Sequence, residues 1–168
     1  VGLVVGTIGF AVVYAQAAPI AARYRGDLAM SRVERPPEEV EFLKAHAAAR
    51  LVLHLQGYLF FGTAARIEEQ VRDEIVRAGG ELDTVVLDFA EVDGIDASAA
   101  AAIESLARFA ARRGTVLVLA SLPLAIYAQV LGRARATRRL AERFAARAQA
   151  LEWSEERLLS RRAAAPAR

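Results

Sequence analysis

The stretch Thr84–Ile103, TVVLDFAEVDGIDASAAAAI, leaves this chain little choice of fold. Val85, Val86 and Leu87 form an unbroken apolar run, the pattern of a strand covered on both faces. The run ends at Asp88-Phe89, and Glu91-Val92-Asp93-Gly94 reads as a short acidic turn. Ile95-Asp96-Ala97-Ser98 then opens a helical pattern, with Ala99, Ala102, Ile103, Leu106 and Ala110 on one face and Glu104, Arg108 and Arg112 on the other. Asp96 and Ser98 can each accept hydrogen bonds from the free N–H groups of the first turn. A hydroxyl there is also where a phosphate would be tolerated electrostatically.

The same alternation recurs on either side. Leu51, Val52, Leu53 and Leu55 predict a first strand, Gln56-Gly57 a turn, and Tyr58–Phe61 a second short strand with its aromatic rings in the core. Gly62-Thr63 leads into a helix with Ile67, Val71 and Ile75 inward and the pairs Glu68–Arg72 and Asp73–Arg77 exposed. Gly79-Gly80 ends it. Val116–Leu119 predicts another long apolar strand, Leu122–Leu131 a helix, and Ala148–Leu159 a last helix; Arg138–Ala146 reads as helical by pattern alone. The expectation is an α/β fold, a mixed β-sheet with packed α-helices.

Ahead of this lies Val1–Ala22, which contains no charged residue. At about 1.5 Å per residue such a helix would roughly span a ~30 Å hydrocarbon core. A single transmembrane helix is therefore expected over residues 1–23, against a signal peptide cut after Ala15-Gln16-Ala17 or a buried core helix. Gly2 and Gly6 form a small-xxx-small pair suited to a neighbouring helix. Arg23, Arg25, Arg32 and Arg35 outweigh Asp27 and Glu34, which puts the C-terminal side in the cytoplasm. Residues 24–48 read as a linker, within which Pro36-Pro37 starts a short helical stretch over Glu38–Ala49.

Two strings carry a resemblance. Leu51–Ala65, LVLHLQGYLFFGTAA, and the strand–loop–Asp-x-Ser–helix of Thr84–Ile103 resemble the STAS domain, in the form found in the SulP (sulfate permease-like) family of anion transporters. The resemblance covers residues 49–160, leaving 161–168 as a disordered tail. It implies a cytosolic docking or regulatory domain, following the last transmembrane helix of a transporter of sulfate, bicarbonate or dicarboxylates at the cytoplasmic membrane. The partner it implies is the membrane bundle of that transporter, and a homodimer is compatible with it. It also favours a short edge strand near Leu140–Phe144. The rival reading is a signalling module of the anti-sigma-factor-antagonist type, binding a kinase-like partner. In those antagonists the serine directly after the aspartate is phosphorylated; here that position is Ala97, and Ser98 matches the second serine of the motif.

The remaining chemistry is sparse. There is no cysteine, which removes disulfides, thiol nucleophiles and thiolate metal sites. His46 and His54 have no ligand-like spacing, and no Walker loop, G-x-S-x-G, H-E-x-x-H or G-x-G-x-x-G is present. The chain reads as a non-enzyme with no cofactor and no metal. Asp96, Ser98, Asp93 and Thr63 remain as a partner or regulatory site, against plain helix capping for Asp96, Ser98 and Thr63. Asp88, Asp93 and Asp96 are weighed as an acidic cluster against solvated carboxylates. The net charge of +2 is too small to imply a polyanion, and nucleic acid is not expected. The basic stretch Arg133–Arg147 could meet anionic lipid, against a solvated face.

Overall fold

The computed structural model describes residues 18–123, 126 and 141–164. Its sheet has five strands: β1 (Ile20–Arg25), β2 (Arg50–Leu59), β3 (Thr84–Ile95), β4 (Val116–Ala120) and β5 (Ala141–Phe144), in that spatial order. β1 runs antiparallel to β2, and the other pairs are parallel. The helices are α1 (Pro37–Ala45), α2 (Phe61–Arg77), α3 (Ala97–Arg112) and α4 (Arg147–Ala164), with a 3₁₀ turn at Ala47–Ala49.

Alternation along the strands divides the core. Leu51, Leu53, Leu55, Val85, Leu87, Leu117 and Leu119 meet Ile67, Val71 and Ile75 of α2 and Ile103, Leu106 and Ala110 of α3. Val52, Val86, Val118 and Ala120 point the other way, onto Ala150 and Leu151 of α4. Leu43 of α1 joins Ala49 and Leu158 in a smaller cluster beside α4. The mixed α/β sheet covered on both faces is thus as the apolar runs predict. The Glu68–Arg72 and Glu104–Arg108 pairs form, whereas Arg77 turns to Glu74 instead of the Asp73 carboxylate.

Five expectations are corrected. The helix expected over residues 1–23 does not extend to its end, because Ile20–Arg25 is an edge strand of the sheet, paired to β2 from Leu55 to Leu51. No helix among the described residues is long and apolar enough to cross a membrane, and residues 1–17 lie outside them. The linker 24–48 is part of the domain: Arg23 and Arg25 bond the buried Glu74 of α2 at 2.9 and 2.5 Å, and the segment beyond them packs on α4. A hairpin does not form at Gln56-Gly57; β2 runs straight through. Gly57 takes φ +72°, a value that glycine adopts without steric cost, and the register with β3 shifts on either side of it. The acidic stretch Glu91–Gly94 is likewise strand, with the extra residues of β3 taken up as bulges opposite β2. Finally, α4 continues to Ala164, into the expected tail, where Arg161 pairs with the buried Asp83.

The edge strand expected near Leu140–Phe144 is present as β5, parallel to β4. Of the helix expected over Leu122–Leu131, only Leu122, Pro123 and Ile126 are described, and Ile126 is buried in the α2–α3 side of the core.

A buried ion pair joins these parts. Arg50, at the start of β2, and Glu155, in α4, are both fully buried, with Nη1 and Oε1 3.3 Å apart. Arg50 also donates to the carbonyls of Gly26 at 2.8 Å and Ala29 at 3.4 Å. Glu155 accepts from the Ser31 N–H at 2.7 Å, the Ser31 hydroxyl at 2.6 Å and Arg35 Nε at 3.1 Å. Burial lowers the Arg50 guanidinium from its ordinary value, and Glu155 works against that shift. Removing one charge of such a pair strands the other in the interior. Glu155→Gln is therefore expected to cost about 3–5 kcal/mol of stability. Urea unfolding of the full chain checks this; a loss below about 1 kcal/mol would fit a surface-type pair instead.

Candidate functional site

The carboxyl ends of β2 and β3 deliver the chain into the N-termini of α2 and α3, and Asp96 stands between them. Its backbone N–H donates to the Leu59 carbonyl at the end of β2, 3.0 Å away. Its carboxylate caps α3, accepting the Ala99 N–H at 2.7 Å. The Ser98 hydroxyl donates to the same Oδ1 at 2.6 Å. Ser98 thus supports the capping carboxylate and does not itself cap the helix, unlike the expectation for it. Partial burial alone would raise the Asp96 carboxyl. The Ser98 hydroxyl and the N–H groups of Ala99, Ser98 and Phe61 outweigh it, so the group lies below the usual aspartate value. Phe61 is the first residue of α2, so one carboxylate draws on N–H groups from both helices.

Thr63 is buried in the first turn of α2, where its Oγ1 accepts the Phe60 N–H at 2.8 Å and donates to the Phe60 carbonyl at 3.0 Å. That is a local brace for the turn and leaves no face for a partner. Asp93 is exposed on β3 at the register shift between Gly57 and Tyr58. Ala97 is exposed on the first turn of α3. The rings of Tyr58 and Phe61, expected in the core, are 43% and 74% exposed beside this turn. The bulge at Gly57 and the start of α2 at Phe61 turn them outward.

Asp88 goes elsewhere. It lies on the α4 side of the sheet, buried against His54 of β2 (Nδ1 to Oδ2 3.4 Å) and Arg147 of α4 (Nη1 to Oδ2 3.7 Å). Asp88, Asp93 and Asp96 therefore each have separate surroundings and form no acidic cluster. Among the described residues, no group of three or more His, Asp or Glu side chains is placed to hold a metal ion. Of the basic stretch Arg133–Arg147, Arg133, Arg135, Arg138 and Arg139 lie outside the described residues, and Arg147 is engaged with His54 and Asp88.

Comparison with known proteins accords with this geometry. The model of the STAS domain family matches residues 40–132, more than half of the chain. The chain belongs to the STAS domain family. A sulfate transporter family protein from Wolinella succinogenes is 25% identical, with a TM-score of 0.53 over 62% of this STAS chain and 84% of that one. A protein from Thermotoga maritima assigned as an anti-sigma factor antagonist shares the fold, with a TM-score of 0.52 at 19% identity, over 63% of this chain and 87% of that one. The vacuolar basic amino acid transporter VSB1 of Saccharomyces cerevisiae is 30% identical over 130 residues, which is 73% of this chain and 12% of that transporter's length.

The Asp-x-Ser signature located Asp96 and Ser98 but missed the His54–Asp88–Arg147 cluster, whose members come from three elements. The only local signal was a polar pair, His54 and Asp88, each ending an apolar strand run.

The low carboxyl value of Asp96 fixes a sign. Its contribution to stability is complete above the unfolded aspartate range and fades as pH falls through the folded value. Asp96→Asn, which keeps a capping oxygen, should flatten the acid limb of the stability curve relative to wild type. Asp96→Ala should cost about 1 kcal/mol near neutral pH. Urea midpoints collected between neutral pH and about pH 3 separate the two effects.

Proposed function

We propose that this chain is the docking and regulatory STAS domain of a SulP-like anion transporter, with the apolar segment Val1–Ala17 forming the end of a membrane segment ahead of β1. The domain binds and positions; it performs no chemistry. The observation that carries this reading is Ala97. The position directly after Asp96 is exposed at the start of α3, where a kinase could reach it, and it has no hydroxyl. The next hydroxyl, on Ser98, is committed to Asp96. A phosphate on Ser98 would set its charge against that carboxylate and remove the bond that steadies the cap.

The relatives named as transporters support the same reading. β1 supports it as well: this strand follows the apolar segment in sequence and is fastened to β2 by its ladder and to Glu74 of α2 through Arg23 and Arg25. The exposed Tyr58 and Phe61 rings beside Ala97 offer the membrane bundle an apolar contact. Anionic lipid at the arginine-rich stretch and a homodimer are compatible with this arrangement.

The full chain is expected to stay with membranes after alkaline carbonate extraction, while a chain starting at Ala18 is released. Neither should gain mass when incubated with an anti-sigma-type kinase and ATP. Complete release of the full chain would remove the membrane part of the proposal. Stoichiometric phosphate on Ser98, read by intact-mass spectrometry, would replace it with the signalling role.

A further inference from the structure

The β2–β3 pair runs on past its neighbours. β1 pairs with β2 only as far as Leu55, and β4 with β3 only as far as Asp88, so Gln56–Leu59 and Glu91–Ile95 project as a two-stranded tongue. Leu59, Val92 and Ile95 turn to the α2–α3 core. Strand alternation puts Gln56, Tyr58, Glu91 and Gly94 on the opposite face. α4 meets the sheet lower down, with Ala150 and Leu151 against Val52, Val86 and Val118, which leaves this face of the tongue open.

Gly94 fixes the tyrosine ring. A Cβ there would stand 2.7 Å from Tyr58 Cε2, so the ring lies against the bare backbone of its cross-strand partner and keeps its outer side free. Glu91 and Asp93 are exposed beside it. Among the described residues neither carboxylate has an ion-pair or hydrogen-bond partner.

We propose that this acidic, aromatic face docks a loop rich in arginine and lysine, belonging to the membrane bundle that the apolar segment would join. The inference rests on the membrane reading above. Two observations select this occupant. The first is charge: two unpaired carboxylates attract a cation, and an exposed ring accepts it over its face. Arg32 lines the adjoining cleft with Glu91 but does not pair with it, and is one cation against two carboxylates. Anionic headgroups would be repelled here. The second is position. Gln56, two residues before Tyr58, holds the incoming chain: its N–H donates to the Pro19 carbonyl and its Nε2 to the Ala18 carbonyl, each at 3.0 Å. Tyr58 therefore stands roughly 7 Å along the strand from the point where the apolar segment arrives. Arg23 and Arg25 mark that side as the one where membrane loops carry an excess of lysine and arginine.

Fluorescence anisotropy of a dye-labelled peptide of alternating arginine and glycine, mixed with the full chain in a zwitterionic detergent, tests the proposal. The peptide should bind, more weakly as salt is raised, and a glutamate–glycine peptide should not. Glu91→Gln combined with Asp93→Asn should weaken binding about tenfold. Glu69→Gln combined with Asp73→Asn, an equal change of charge at exposed positions of α2, should leave it as in wild type. Tyr58→Phe should retain binding and Tyr58→Leu should weaken it. No binding of the arginine peptide, equal losses in the two acid pairs, or an unchanged affinity in Tyr58→Leu would each overturn the proposal. A dimer seen by light scattering that Tyr58→Leu dissolves would also overturn it, giving the face to a second copy of the chain. A chain that stays with membranes through carbonate extraction yet ignores the peptide refutes the docking face alone; a chain released by that extraction refutes the membrane bundle as the owner of the loop.

Discussion

The buried contact between Arg50 and Glu155 is the interaction on which the arrangement of this domain depends. Arg50 opens β2, Glu155 lies in the last helix, and between them they hold the carbonyls of Gly26 and Ala29, the N–H and hydroxyl of Ser31, and the guanidinium of Arg35. Four separate parts of the chain are thereby fixed by two side chains: β2, the segment after β1, the approach to α1, and α4. The approach is close. A Cβ on Gly26 would stand 3.0 Å from two nitrogens of the Arg50 guanidinium, so glycine is needed for its carbonyl to be reached. Apolar packing would hold α4 on the sheet through Ala150 and Leu151, but it has no direction. The charge pair sets which stretch of the N-terminal segment crosses α4, and at what register.

A similar economy holds at the other end of the strands. Asp96 is positioned by a backbone bond to Leu59 and then spends its carboxylate on α3, on Ser98 and on the first N–H of α2. The result is a rigid corner joining β2, α2 and α3, with Ala97 and two aromatic rings presented on its outside. On the α4 face, nearer the middle of β2 and β3, a second polar contact among His54, Asp88 and Arg147 joins β2, β3 and α4.

Much of this was legible in the residues. The apolar runs Leu51–Leu53, Val85–Leu87 and Val116–Leu119 read as strands covered on both sides, and the inward faces of α2 and α3 follow from their spacing. Asp96 as a cap was readable because a cap is a local contact, made three residues away to Ala99. Local signals misled where they conflicted. Gln56-Gly57 and Asp93-Gly94 look like turns, yet both fall in paired strands. Once β2 and β3 are aligned in parallel, absorbing the extra residues as bulges keeps far more ladder hydrogen bonds than breaking the strands would.

The sequence by itself determined the layers, the strand–helix order and the capped start of α3, because periodicity and capping act within a few residues of one another. Tertiary structure alone decided that Ile20–Arg25 closes the sheet as an edge strand and that the supposed linker is core-bound. It also decided that Glu74, Asp83, Asp88 and Glu155 are buried with arginine or histidine partners from distant elements. The physical reason is the range of the forces. A charged residue carries no mark of whether it will face water or lie in the interior; that depends on whether folding brings an opposite charge, from Arg23 for Glu74 or Arg50 for Glu155, to meet it where solvent is excluded.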